Sequence, residues 1–200
     1  EDDPQSGLWS YADRTREIAK PGYYSVPLTR YGITAEMTAT NRVGFHRYTF
    51  PQSEEAGIVI DLDNGGCWDD PTETYIEACG DNAVKGYRYS KGWANAQRIY
   101  FYAEFSKPFN DLYVHSVNYM PLFAKADFDT AEGEQILMKV ALSPVSMDGA
   151  YANMQAEMPG WDFNAVQKDA VTAWEKELSK IRITTAVQSD RQVFYTSMYH

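Results

Sequence analysis

Hydrolytic chemistry requires placed carboxylates, a nucleophile with its base, or a metal, and the raw material here is 28 Asp and Glu, 3 His and 2 Cys in 200 residues. The densest acidic stretch is Asp61-Leu62-Asp63-Asn64-Gly65-Gly66-Cys67-Trp68-Asp69-Asp70. Hard cations prefer several oxygen ligands, which makes a calcium loop the first idea to test. Counted from Asp61, the glycine of loop position six is Gly66, but position five is Gly65 and position twelve is Thr72 where a Glu is needed. The stretch therefore reads as a solvated turn, in which Asp and Asn hydrogen-bond their own backbone. No metal site is assigned.

Glycoside hydrolysis uses two carboxylates across a sugar, and nothing in the spacing of the acidic residues selects a pair. Serine chemistry would need a base, but His46, His115 and His200 lie beside no G-x-S-x-G elbow. His46, among aromatics in a strand pattern, reads as a packed and hydrogen-bonded histidine. No catalytic residue is assigned from the sequence.

The aromatic residues are more telling, since 15 Tyr and 5 Trp are the flat, polar-tipped rings that sugar-stacking surfaces and sandwich cores both use. Within Gly86-Tyr-Arg88-Tyr-Ser-Lys-Gly-Trp93-Ala-Asn-Ala-Gln97, Arg88 and Trp93 are the candidates for a substrate-facing or interface-facing patch between two strands. Their default reading is a loop charge and a buried ring. Tyr23, Tyr24, Tyr100 and Tyr102 fall within strand patterns and read as core or face residues.

These residues must be held by a scaffold, and the chain is long enough to bury roughly 70% of its unfolded surface. A formal charge of -10 and a pI near 4.7 repel phosphate backbones and anionic lipid, so nucleic acid is excluded as a partner. No run approaches the roughly 20 apolar residues of a membrane span. Glu1-Asp2-Asp3-Pro4 has neither the basic nor the apolar region of an export signal, so the terminus does not reveal the compartment. Cys67 and Cys79 suit a disulfide in an exported protein and free thiols in a cytosolic one, and the pair does not choose.

From Gly22 to Ser143, short β-branched and aromatic segments alternate with Gly, Pro, Asn and Asp. Strands are predicted at 22–28, 33–39, 43–50, 57–62, 74–79, 84–89, 98–105, 112–118, 122–128 and 135–143. In the third of these, Val43, Phe45, Arg47 and Thr49 would face one way and Gly44, His46, Tyr48 and Phe50 the other, so both sides require cover. No helical interval separates the strands, which excludes parallel βαβ units and predicts a large antiparallel sandwich.

The character changes at Ser146, where a helix to Met158 is predicted, stopped by Pro159-Gly160. A second helix follows, capped by Asp162, with Phe163, Val166, Ala170, Trp174, Leu178 and Ile181 forming one apolar stripe. Only the sandwich is available to cover that stripe, so Trp174→Ala is expected to destabilise the chain by roughly 3–5 kcal/mol. Ile181 to Thr185 alternates like a short strand, and Ser189-Asp190 opens a third helical pattern that is still running at His200 with none of the usual C-terminal signals, an expectation that the natural protein continues.

Three stretches, Pro21-Gly-Tyr-Tyr-Ser-Val26, Tyr31-Gly-Ile-Thr-Ala-Glu-Met-Thr-Ala-Thr40 and Arg42-Val-Gly-Phe-His-Arg-Tyr-Thr-Phe-Pro51, resemble the N-terminal domain of glycoside hydrolase family 92, the exo-acting α-mannosidases. Gly86 to Phe109, Val145-Ser-Met-Asp-Gly-Ala150 and Met158-Pro-Gly-Trp-Asp-Phe163 through Trp174 to Lys180 agree, so the likeness runs in order along nearly the whole chain. It implies a galactose-mutarotase-like super-sandwich over residues 1–145, with its first part missing. Residues 146–200 would then be linker helices and the start of a C-terminal (α/α)6 barrel. It further implies calcium-dependent hydrolysis of terminal α-1,2-linked or related mannose with inversion. In this family the acid, base and calcium ligands belong to the barrel, so none is carried onto this chain, and the glycine-rich segment that helps form the mannose pocket would lie upstream. The expected partners are mannose-containing glycans and that barrel, in the bacterial periplasm, at the cell surface or outside the cell.

Two other readings compete: a non-catalytic carbohydrate-binding sandwich whose aromatics form an exposed platform, and a structural sandwich whose only task is packing against a helical barrel. Glycan binding by the chain marks the first, and an apolar patch of several hundred Å² on the helical side marks the second.

Overall fold

A computed structural model describes residues 9–64 and 68–200. Eleven strands, β1 (Ile18–Lys20), β2 (Tyr23–Leu28), β3 (Ile33–Ala39), β4 (Val43–Phe50), β5 (Ser53–Asp61), β6 (Asp70–Ala78), β7 (Ala83–Lys91), β8 (Gln97–Phe105), β9 (Asp111–Val117), β10 (Met120–Thr130) and β11 (Glu134–Ser143), precede three helices among the described residues. These are α1 (Met147–Glu157), α2 (Phe163–Leu178) and α3 (Gln188–Tyr199). One sheet has eight strands in the order β1-β2-β3-β4-β11-β8-β7-β6, the other three in the order β5-β10-β9, and the pairing is antiparallel throughout. The fold is the antiparallel sandwich followed by helices that the alternation predicts.

Strand β4 is covered on both sides. Phe50 joins the core between the sheets with Phe105, Phe128, Ile136 and Val84, and Tyr48 packs against it. Val43 and Phe45 join a second cluster under the helices with Ala141, Ala150, Met154, Met158 and Phe163. Strand ends extend further than apolar runs indicate. β5 begins at Ser53, which pairs with Thr130, and β6 begins at Asp70 with a bulge between Pro71 and Glu73. Backbone pairing places no demand on side-chain polarity, so these polar ends were outside the predicted spans. β1, three exposed residues paired to β2, was not predicted.

Ser146 caps α1 by accepting from the Gly149 amide, and Asp162 caps α2 by accepting from Ala165. Phe163 of α2 is buried, but Val166, Ala170, Trp174 and Leu178 are half-buried and Ile181 is exposed. Trp174 rests on Tyr199 of α3, ring centroids 4.5 Å apart, instead of sinking into the sandwich. Two expectations are corrected here. The stripe is not sealed by the sheet, and Ile181 to Thr185 is not a strand, because no neighbouring strand accepts its backbone. α3 starts at Gln188 without a side-chain cap and buries no residue.

The sandwich is tied to the helices by charge and close contact. Arg47 pairs with Glu36, donates to Asn164 and lies 4.2 Å from the Phe163 ring centroid. Glu157 accepts from Thr40, the Arg42 amide and Arg42 Nε. Lys139, 2% exposed, pairs with Glu104 at 3.0 Å and sits 3.9 Å from the Trp161 ring centroid. Gly22, at φ +80°, passes so close to α2 that a Cβ there would stand 2.8 Å from the Val171 nitrogen.

Candidate functional site: the tryptophan pair at the helical end of the sandwich

Antiparallel register collects several connections at one end of the sandwich. Ala141 pairs with Val43 and Ser143 with Tyr100, so the β3–β4 turn, the β7–β8 hairpin tip and the exit to α1 lie together. Arg88 Nε donates to the Leu62 carbonyl at 2.8 Å, and Thr74 Oγ1 donates to the Pro121 carbonyl, which brings the β5–β6 loop and the β9–β10 hairpin to the same end.

Arg88 spans the β5–β6 loop from within. Besides Leu62 it reaches the Asp63 carbonyl at 3.2 Å and the Asp69 carbonyl at 3.4 Å, and its Nη1 lies 2.6 Å from Asp69 Oδ2. The two side chains are 12% and 7% exposed. A guanidinium offers five donors in a rigid fork, and this one is spent on both ends of the loop. Asp61 finishes the loop's first half by accepting from the Asp63 and Asn64 amides, the self-bonded turn the sequence indicates. Cys67 lies outside the described residues, so its pairing with Cys79 does too; Cys79 itself is half-buried just after β6.

The loop carries Trp68 and the hairpin carries Trp93. They are 66% and 84% exposed, with ring centroids 5.9 Å apart and planes at 45°. Gly92 permits the approach, since a Cβ there would stand 2.9 Å from Asp69 Cβ. Two default readings are thus corrected. Trp93 is not a buried core ring, and Arg88 is not a loose loop charge but the clamp beneath the aromatic pair. The sequence reading passed over Trp68, though an indole inside a polar turn, away from any strand pattern, was the available signal.

The other chemistry-bearing groups are structural in their surroundings. His46 Nδ1 lies 2.9 Å from the Tyr48 hydroxyl, and burial takes its pKa from 6.5 down to about 4 and that of Tyr48 up to about 12. Tyr75, Tyr87 and Tyr89 stack in a row across β6 and β7, and the Glu73 carboxylate accepting from Tyr87 raises that phenol to about 12. Tyr23 hydrogen-bonds Glu36, Tyr24 bonds Glu17, Tyr100 lies 2.7 Å from the Tyr89 hydroxyl, and Tyr102 packs on Tyr151. An open groove of about 1110 Å³ separates β1 to β3 from α2 and α3, walled by Tyr24, Met37, Trp174, Arg191, Tyr195 and Tyr199. Among the described residues, no group of three or more His, Cys, Asp or Glu is placed to hold a metal ion.

Residues 1–143 match the model of the glycosyl hydrolase family 92 N-terminal domain, and residues 149–200 that of the glycosyl hydrolase family 92 catalytic domain. The chain resembles the structure of a family GH92 α-mannosidase from Bacteroides thetaiotaomicron, at 35% identity and a TM-score of 0.87, over 96% of this chain and 28% of that one. A family GH92 inverting mannosidase of the same organism shares the fold at 23% identity and a TM-score of 0.82, covering 95% of this chain and 26% of that one. A protein of Arthroderma benhamiae described as an uncharacterized secreted glycosidase is 25% identical over 90% of this chain and 28% of its own length. The chain thus spans little more than a quarter of these relatives.

Proposed function

The chain belongs to glycoside hydrolase family 92, and from that premise we propose that it is the sandwich and first helices of an extracellular exo-α-mannosidase that releases terminal α-1,2-linked mannose from glycans with inversion. The observation that carries this reading is the 35% identity, over 96% of the chain, to the solved α-mannosidase. The catalytic-domain match from residue 149 supports a continuation of α1 to α3 into the (α/α)6 barrel as the sandwich's partner, with residues 1–145 forming the sandwich domain. The secreted relative supports a place outside the cytoplasm, in the periplasm, at the cell surface or beyond it.

Inversion requires one carboxylic acid to protonate the leaving oxygen and one carboxylate to activate water on the opposite face of the ring. This chain contributes neither. Several of its carboxylates around the helical end are engaged by protein groups: Asp69 by Arg88, Asp61 by its own turn, Glu157 by Arg42 and Thr40, Glu36 by Arg47. Calcium belongs to the same proposal for the full-length enzyme, but the described residues do not fit it, because no three ligating side chains converge. What this chain supplies is a rigid wall for the catalytic domain and, at its helical end, exposed aromatic surface.

The test is product stereochemistry. Full-length protein incubated with α-1,2-mannobiose and followed by proton NMR is expected to release β-mannose before mutarotation, and more slowly from α-1,3 and α-1,6 disaccharides. The 200-residue chain alone is expected to release no mannose above buffer. Release of α-mannose first, or turnover by the chain alone, overturns the assignment.

A further inference from the structure

We propose that Trp68 and Trp93 form an auxiliary stacking platform for a pyranose of a neutral glycan, held in position by the Arg88–Asp69 clamp. This rests on the reading of the protein as a glycoside hydrolase; it adds a second contact for the glycan, made by this chain.

Exposed indoles are costly to leave in water, and contiguous exposed aromatic surface marks a place where something binds. Here the two rings are 66% and 84% exposed. At 5.9 Å between centroids and 45° between planes there is no room for a ring between them, so the faces turned to solvent form one bent apolar surface. A pyranose carries a flat patch of C–H groups on one face and hydroxyls around its rim. Apolar stacking surface edged by hydrogen-bonding groups meets that chemistry. Exposed Lys91 and Asn95, two residues to either side of Trp93, and exposed Asp63 in the β5–β6 loop offer such groups. A net charge of -10 disfavours polyanions, which leaves neutral glycans as the fitting class.

Anchoring is the second observation. Loop tips are ordinarily mobile, and ordering a side chain on binding costs affinity. Arg88 binds Leu62 and Asp69, and the glycine at position 92 lets the hairpin close against Asp69, so the neighbours of both rings are anchored to the sandwich. Arg88 acts through the loop. Its donors are taken by protein oxygens, and it is a positioning residue.

The platform stands at the end of the sandwich where the chain leaves Ser143 for the segment matched by the catalytic domain. A glycan cleaved at its terminus would therefore have internal sugars to lay on the pair. The experiment compares full-length wild type with Trp68→Ala/Trp93→Ala on α-1,2-mannobiose and on a mannan chain, together with retardation in a mannan affinity gel. The expected result is a KM on mannan raised about tenfold, the loss of a contact of about 1.4 kcal/mol. The disaccharide constants, kcat and melting temperature should be unchanged, and retardation lost. Unchanged mannan kinetics overturns the proposal, as does an equal loss on both substrates. A melting temperature lowered by several degrees without substrate discrimination also overturns it, and shows instead that the pair seats the rest of the protein. If wild type hydrolyses no mannoside, the gel still decides. Retardation lost in the variant upholds the platform while the mannosidase reading fails, and no retardation of wild type removes the platform.

Discussion

Between the sheets, Phe105, Phe128 and Ile136 have no exposed surface, whereas α3 buries no residue at all and Val193 remains 66% exposed. Both regions carry apolar residues at spacings that require burial. In the sandwich, each strand's inward set finds an opposing sheet within the same 200 residues. Along α2, Phe163, next to the Asp162 cap, is buried in the second core and half-buried Val166 packs against it, and the stripe emerges toward the open groove by Trp174. Periodicity therefore identifies which face needs cover; contacts decide where the cover comes from.

The largest effect that can break this contrast lies in the sealed region. Phe105→Ala is expected to lower unfolding free energy by about 3–5 kcal/mol, since it leaves a cavity among Phe109, Phe128 and the β11 side chains. A denaturant midpoint within error of wild type would refute the description of that core. Arg88→Met, which removes the nearly buried ion pair with Asp69 and the donors to three loop carbonyls, is expected to cost about 3 kcal/mol. A loss under about 1 kcal/mol in urea melts would mean that the clamp is dispensable.

The pH dependence of the sealed region follows from His46. Its folded pKa, about 4, lies below the unfolded value of 6.5, so the unfolded state takes up a proton first as pH falls. Its stabilising contribution is complete above pH 6.5 and is lost progressively down to about pH 4, roughly 3 kcal/mol in all. Melts at pH 7 and pH 4.5 should show a smaller drop for His46→Gln than for wild type, and equal drops would refute burial as the cause. The smallest effect belongs to the unsealed region. Trp174→Ala should cost only about 1 kcal/mol, because its half-buried ring loses chiefly the contact with Tyr199. A loss of about 3–5 kcal/mol would show that the stripe is sealed after all.

The sandwich was legible because its strands obey one rule repeatedly. β4 was predicted with its exact limits and both covered faces because Phe45 and Phe50 fall on opposite sides of one strand. What escaped was structure without an apolar signature. β1 is exposed, and the opening of β5 pairs through Ser53 opposite Thr130 before a register shift across Glu54 and Glu55. Ile181 to Thr185 had alternation but no partner strand. At the candidate site, Arg88 and Trp93 were picked out by sequence, yet the clamp depends on Leu62 and Asp69, many residues away, and no local pattern reveals that a loop folds over a strand. Trp68 went unnoticed because its neighbours read as a turn.

One missing methyl group carries a mechanical consequence. α2 is anchored at Phe163, with Val166 beside it, and further along meets the sheet at Gly22, beside Ala170 and Val171. At 1.5 Å per residue, that second support lies about 10 Å along the helix and Leu178 about 22 Å along it. Anchor, fulcrum and tip form a lever with a gain of about two. A side chain at position 22 that pushed the helix out by about 1 Å would tilt it by about 5° and carry Leu178, with α3 behind it, about 2 Å from the sandwich. The bare backbone at Gly22 thus works as a gauge block that fixes the pitch at which the helices leave the sheet.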